Sequence, residues 1–520
     1  MPPTLTYPGV YVQELPSGVR TITGVATSIA VFVGRAWRGP VETPVPIFSF
    51  VDYRRQFGGL WRGSTLGYAV QQFYTNGGSQ AVILRLAPDA SPTTLALDAV
   101  TTLQAANAGT WGRNLTAVVD YDTGNPSDTL LFNLTLTDDA ATKSDALARG
   151  GSGVSERFLN VSADSASPRY LASVLQQQST LATAKSVGVV RPPLTPGSPP
   201  VPVKANLDGN DGHELQDVDF VPTVGPALGL QALDKLPLFN LLCLPPLTGG
   251  PGGTDIGIST WGEAANLCLK RRAFLLVDAP VGWKASPPPS SALADFTALT
   301  ARDHAAIYFP RLLIPDPLQA NKLEAFAPCG AVAGVISRTD AARGVWKAPA
   351  GIDANLQGVI GLNINGSPGT LTDDTVGGLN PLGINCLRAL PVYGHVVWGS
   401  RTLEGADAFA SQWKYTPVRR LSLYIEESLY RGTQWVVFEP NDEPLWAQIR
   451  LNVGSFMQTL FRQGAFQGST PRDAYFVQCN SQTTTQTDIN NGVVNILVGF
   501  APLKPAEFVV LQIQQISAQP

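Results

Sequence analysis

"RAFLLVDAP", residues 272–280, sets the reading of this chain. Its apolar side chains run without alternation up to Asp278. A strand exposed on one face alternates apolar with polar residues, so an unbroken run predicts a strand buried on both faces of a parallel sheet. "LFNLLCLP" (238–245), "QAVILRL" (80–86) and residues 29–33 of "GVATSIAVFVGRAWRGP" read the same way, and "HAAIYFPRLLIPDP" (304–317) supplies a further strand. Helical stretches lie between them. "FVDYRRQFGG" is a short helix closed by Gly58 and Gly59, and "LGYAVQQFYTNGG" is an amphipathic helix with Gly77 past its end. The rhythm predicts an α/β body, a mostly parallel sheet with helices on both sides.

The texture changes near Ala90. Short alternating stretches such as "LTAVVDYD" and "LLFNLTLTD", broken by Gly, Asn, Asp and Ser, predict an antiparallel β-sandwich-like domain inserted over 91–205. It ends on the proline-rich "RPPLTPGSPPVPV" (191–203), read as an extended linker. Beyond Pro391, "YTPVRRLSLYIEESLYRG" is a helix with Thr416 as N-cap, Pro417 in its first turn and an apolar stripe of Val418, Leu421, Ile425 and Leu429. "TQWVVFEP" reads as a strand. "NDEPLWAQIRLNVGSFMQTLFRQG" is a second long helix with Trp446, Ile449, Val453, Phe456 and Leu460 on one side. Two strands close the chain, 493–500 and 507–516. The expected organisation is an N-terminal arm (1–20), an α/β segment (21–90), the inserted domain (91–205), a second α/β domain (206–388) and a C-terminal domain (389–520).

With 520 residues, 44% hydrophobic and 15% charged, the chain is multidomain and globular, and its low charge suits a surface covered by partners. A net charge of −4 argues against general nucleic-acid binding. Arginine outnumbers lysine 26 to 10, which fits buried or interfacial ion pairs or an Arg-favouring genome. The five cysteines show no C-x-x-C spacing, so neither a disulfide framework nor a zinc site is expected. A signal-peptide pattern is absent from the N-terminus, which reads as that of a cytoplasmic product.

Catalytic patterns fail at specific residues. "HELQD" has Asp217 where a zincin needs His, and "GGPGGT" (249–254) lacks the Lys of a phosphate loop. "DGNDG" (208–212) has neither the alternating ligands nor the distal Glu of a calcium loop and reads as a tight turn. Asp278, His304 and a later serine, Ser337 or Ser367, follow the chain order of subtilisin, but no motif around either serine builds an oxyanion hole. "RTDAARGVWKAPAG" (338–351) reads as an ion-paired loop of Asp340 with its arginines, the other reading being an anion pocket of Arg338, Arg343 and Lys347. No catalytic residue, cofactor or metal is expected.

The two chain ends pose the remaining question. Val10, Tyr11, Val12, Gln13 and Glu14 alternate as a strand between prolines, with no second strand behind a short turn. Phe508, Val509, Val510, Leu511 and Ile513 form the other terminal strand. A lone strand leaves its N–H and C=O groups unpaired.

The motifs "TYPGVYVQE", "VFVGRAWRGP", "FVDYRRQFGG", "YTNGGSQAVILRL", "DAARGVWKAPAG", "VVWGSRTL", the whole 418–446 stretch, "GAFQG", "AYFVQC" and "LKPAEFVV" together resemble the sheath proteins of contractile phage tails and contractile injection systems. Residues 97–203 carry little of the resemblance, and Tyr393-Gly-His395 departs from the family's glycine–basic turn. The resemblance implies a subtilisin-like scaffold without its triad, and terminal strands exchanged between neighbouring subunits. It implies a homo-oligomer of six-fold stacked rings around an inner tube protein, with baseplate and tail-terminator partners and no nucleic acid. A membrane is met only through the target. Such a particle is assembled in the host cytoplasm, as part of a phage tail, a tailocin or an injection system. The helix from Val418 would face the tube, with Arg419, Arg420, Glu426 and Glu427 as contacts. A two-chain type VI-like sheath and a serine hydrolase are the alternatives.

Overall fold

The structure, a computed structural model, describes residues 20–139, 146–147, 153–222, 228–249, 253–283, 296, 299–364 and 366–512. Residues Val10 to Glu14 and Ile513 lie outside the described residues.

Eight strands form the central sheet, in the order Gly394–Val397, Ile384–Leu390, Ala305–Phe309, Phe274–Asp278, Leu241–Cys243, Ala30–Gly34, Ala81–Arg85, Val45–Ile47. The inner six run parallel and the two edge strands antiparallel. Alternate residues serve opposite faces. Val31, Val33, Leu242, Leu275, Val277 and Ile307 share one core with Trp261, Ala264 and Cys268 of the helix Ile258–Arg271. On the other face Phe32 meets Phe73 of the helix Leu66–Thr75 edge-on at 5.5 Å. The helix Cys329–Arg343 starts there too: the Cys329 N–H donates to Asp278 Oδ1 at 2.8 Å. Apolar layers on both faces explain the unalternating runs.

The two helices on that face pack backbone to backbone. A Cβ on Gly330 would overlap the Ala69 carbonyl oxygen, and one on Gly334 would lie 2.5 Å from that of Phe73. This stretch reaches Arg343, so residues 338–343 are helix and not the expected loop. Arg338 forms neither the ion-paired turn nor an anion pocket; it donates to Asn76 O at 3.2 Å, Asn355 O at 2.7 Å and Asn355 Oδ1 at 2.8 Å.

"HAAIYFPRLLIPDP" is two strands rather than one. Pro310, which has no N–H, separates Ala305–Phe309 from Arg311–Asp316, and the latter joins a different, antiparallel sheet with Lys322–Phe326 and Gly361–Ile364.

The inserted domain follows Ala81–Arg85. A three-stranded sheet (Thr94–Ala96, Thr102–Ala105, Ala182–Ser186) and a four-stranded sheet (Val203–Lys204, Leu115–Asp120, Leu131–Asp138, Val154–Ser162) share a core around Trp111, Leu134 and Phe158. The exit segment is not a free linker. Thr195 exchanges hydrogen bonds with the Val119 backbone at 3.1 and 2.7 Å, and Val203–Lys204 is a strand of the sheet. "DGNDG" is the tight turn that closes the insertion. Asp208 accepts from the N–H and hydroxyl of Thr94, and Asp211 does the same for Thr110.

Two compact units emerge, 27–419 and, among described residues, 20–26 with 420–512. The boundary therefore falls inside the helix Thr416–Gly432, not at 389, and residues 389–419 belong to the larger unit. In the smaller unit the helix Glu443–Arg462, capped by Asp442, buries Trp446, Ile449, Val453, Phe456 and Leu460 as its periodicity requires. "TQWVVFEP" is not a strand: Gln434–Val436 is a single 3-10 turn followed by a bend.

Gly330→Ala must push two backbones apart, and a loss of about 1–3 kcal/mol in urea unfolding is expected. Gly377→Ala, in the helix Asp373–Leu379 with nothing within 4 Å of its Cβ, should instead be neutral or stabilising by up to about 1 kcal/mol.

Candidate assembly surfaces

Asp278, His304 and Ser337 are engaged elsewhere, and Ser367 lies apart from them on an exposed strand. Asp278, at the end of its strand, caps the Cys329 helix through Oδ1. His304 uses Nδ1 on Asp303 Oδ1 at 2.8 Å and Nε2 on Arg419 Nη2 at 2.7 Å. A guanidinium can only donate, so Nε2 accepts and Nδ1 carries the proton. Ser337 pairs with the hydroxyl of Ser28 at 3.3 Å, and Ser367 sits on an exposed edge strand. With both ring nitrogens committed, His304 has none left to deprotonate a serine. Burial pushes the Asp278 carboxyl up to about 6, against the hydrogen bond from Cys329 and the charge of Arg311.

The start of the helix Thr416–Gly432 differs from expectation. Arg419 and Arg420 are 7% and 4% exposed. The Arg419 guanidinium lies 3.2 Å from Asp303 Oδ2, donates to His304 and stacks 4.5 Å over Trp413. Burial raises the Asp303 carboxyl, but the His304 hydrogen bond and the Arg419 charge outweigh it, and its pKa ends below the ordinary value. Cations at a helix start are unfavourable by roughly 0.3–1 kcal/mol each; Asp303, far away in sequence, supplies the compensation. Neither arginine is a surface contact of this chain. Further along, Glu426 accepts from Ser422 at 2.7 Å, and the buried Glu427 pairs with Arg431 at 2.7 Å. Glu426 remains partly exposed, and Tyr430 and Arg431 face outward.

Residues 20–26 lie on their own unit. The Arg20 N–H donates to Asn452 Oδ1 at 3.1 Å, its guanidinium lies 4.7 Å from the Trp435 ring, Ile22 is buried, and the Val25 N–H donates to Ser428 Oγ at 3.2 Å. The segment that leads to the N-terminal arm is thus held at its root. Nearby, Tyr475–Gln478 and Leu497–Phe500 pair antiparallel as a ribbon with no third strand among the described residues. The 493–500 reading is half right: only its second half is strand.

After an isolated antiparallel bridge of Pro502 with Phe466, the described chain to Gln512 joins no sheet. Phe508, Val509, Val510 and Leu511 are 75–83% exposed. Burying each would gain about 1.5–3 kcal/mol, so a run of four left in water is a surface in want of a partner.

Two further exposed residues escaped sequence reading. Val392, at the tip of the hairpin Ile384–Leu390/Gly394–Val397, and Phe438, in the bend misread as strand, are both left-handed, with φ of +74° and +71°. Such a conformation costs a bulky residue about 1–3 kcal/mol. The turn-prone "EPND" after Phe438 was the available signal.

Comparison with known proteins follows the same lines. A family model described as phage tail sheath C-terminal domain matches residues 410–516. The tail sheath protein of Burkholderia phage BcepMu is 25% identical over 476 residues, 88% of this chain and 87% of its own. The helical sheath of the anti-feeding prophage in its contracted state superposes with a TM-score of 0.58 at 23% identity, over 98% of this chain and 100% of that one. The sheath tail protein Lin1278 of Listeria innocua gives 0.60 at 12% identity, over 93% and 96%.

Arg419→Leu removes the cation beside Asp303 and the donor to His304 Nε2, and a loss of about 3–5 kcal/mol is expected in urea melts; Arg55→Leu, which removes an exposed helix pair with Asp52, should cost under about 0.5 kcal/mol. Asp278 works with the opposite sign to a paired carboxylate. Its folded pKa is above the ordinary 3.8, so stability falls as pH rises from about 4 to about 6, by up to about 3 kcal/mol, and is level above. Asp278→Asn keeps the acceptor for Cys329 and should abolish that slope, leaving the variant more stable than wild type at pH 8.

Proposed function

We propose that this chain is a tail sheath protein, one that polymerises around an inner tube and contracts to drive that tube through a target membrane. It is a structural protein, part of a phage tail or injection-system particle, and not an enzyme. The observation that carries the mechanism is the exposed run Phe508 to Leu511, in a unit that also presents a two-stranded ribbon. A two-stranded ribbon is marginal in water alone. Added strands from neighbouring copies would satisfy its outer edges and remove the apolar run from water together.

The energetics favour a link that is modest per subunit. Ordering each backbone residue costs roughly 1–2 kcal/mol, which offsets much of the apolar gain. Each new ladder hydrogen bond adds about 0.5–1.5 kcal/mol. The arm pairs Phe508, Val509, Val510, Leu511 and Ile513 with one neighbour, and Val10 to Glu14 with another. Repetition through six-fold stacked rings makes the mesh strong as a whole. In this reading the extended sheath is a kinetic trap, released when the baseplate signals. The partners are further copies of this chain, the tube protein, and baseplate and terminator proteins; assembly takes place in the host cytoplasm. The tube-facing part of the helix Thr416–Gly432 is assigned to its outward residues Glu426 and Arg431, since Arg419 and Arg420 are buried.

Val510→Pro removes a ladder donor from a residue that is 80% exposed. The variant should melt like wild type and form no tubes under negative stain, and deletion of residues 1–15 should do the same. Tubes of normal length from either would sink strand exchange.

A further inference from the structure

Among the described residues, Val392 and Phe438 alone combine a bulky apolar side chain, a left-handed backbone and nearly complete exposure, at 98% and 103%. Phe438 is the sharper case, because its surroundings hold it still. The Val437 N–H donates to Gln434 O at 3.3 Å, Glu439 to Val436 O at 3.1 Å, and Asp442 to Pro440 O at 3.1 Å. The Asn441 side chain accepts from Trp446 Nε1 at 2.9 Å and donates to Val493 O at 2.9 Å. The bend is therefore fixed between two helices and strapped to the segment just before the ribbon strand Leu497–Phe500. Among the described residues the phenyl ring packs against nothing that would offset the strain it imposes. Strain kept by rigid surroundings is a feature of preorganised contact sites.

We propose that Phe438 is an anchor that seats in an apolar socket on a second copy of this chain. The proposal rests on the strand-exchange reading. Val493 leads into the ribbon that receives a neighbour's arm, so the body of a neighbouring copy comes close to the bend. Val437, 63% exposed, widens the apolar tip, and Glu439, Asp442 and Glu443 surround it with exposed carboxylates. Glu443 is paired with Arg450 at 2.6 Å, and the other two leave a net acidic rim. The socket is therefore apolar at its centre and basic at its edge, which fixes the register of docking.

The test replaces Phe438 in the full chain with the photo-crosslinker p-benzoylphenylalanine, which a fully exposed site accepts. Irradiation of assembled particles should give covalent dimers of this chain, with the acceptor peptide rich in apolar and basic residues. Crosslinks to a different protein, or none, overturn the proposal. In parallel, Phe438→Gly should keep or raise the melting temperature of the unassembled chain, because glycine accepts the left-handed backbone. It should raise the concentration needed for sedimentable assembly at least tenfold. A marked fall in melting temperature would show that the ring packs at home, and wild-type assembly would show that the anchor is idle; either result overturns it. Val510→Pro separates the two readings: if it fails to assemble while Phe438→Gly assembles normally, strand exchange stands and the anchor falls, and if both assemble normally, strand exchange itself fails.

Discussion

Every strand must find partners for its backbone N–H and C=O groups, and the architecture follows from where those partners come from. In the body they come from within the chain. Crossover helices return each strand parallel to the last, so Ala30–Gly34 is paired on both sides by strands that follow it far along the sequence. The two edges of that sheet are closed by short antiparallel strands. Toward the C-terminus no such return is found among the described residues. The ribbon of 475–478 and 497–500 has no further strand beside it among the described residues, and Phe508 to Leu511 leave their apolar side chains exposed. Among the described residues the central sheet ends on short antiparallel strands, and the ribbon has none beside it.

Arginine does much of the internal joining. Arg85 is 1% exposed and donates to the carbonyls of Ala36, Gly39 and Ala108, at 2.9, 2.6 and 2.9 Å, tying the strand Ala81–Arg85 to the base of the inserted domain. Burial lowers its pKa to about 10, which still leaves it charged at neutral pH. Arg401, fully buried, bridges Gly405 O and Asp407. A planar fork of donors can satisfy several carbonyls at once, where an ammonium would be left partly unsolvated. The arginine excess therefore has a use within the fold.

The sequence made the body legible because its signals are local. Apolar runs, glycine stops and Asp442 as a cap each act within a few residues. What it hid depends on distant partners. The buried state of Arg419 is set by Asp303 and His304, more than a hundred residues away, so its charge looked free to meet a partner outside. The helical state of 338–343 is set by packing against the helix Leu66–Thr75 through Gly330 and Gly334. The unit boundary inside a continuous helix has no local signature at all. Strand propensity misled at "TQWVVFEP", where β-branched and aromatic residues sit in a bend.

Rigidity and looseness are placed with consistent logic. The body is close-packed, with glycine contacts that allow no methyl group. The C-terminal arm, by contrast, leaves the ribbon through Pro502 and Pro505, and residues 502–506 when extended span roughly 17 Å. A strand-exchange link of the kind proposed above, with that reach and modest strength, would tolerate a change of spacing between bodies without letting go. In the proposed sheath, mechanical work would be done by rearranging neighbouring copies while such links stay joined.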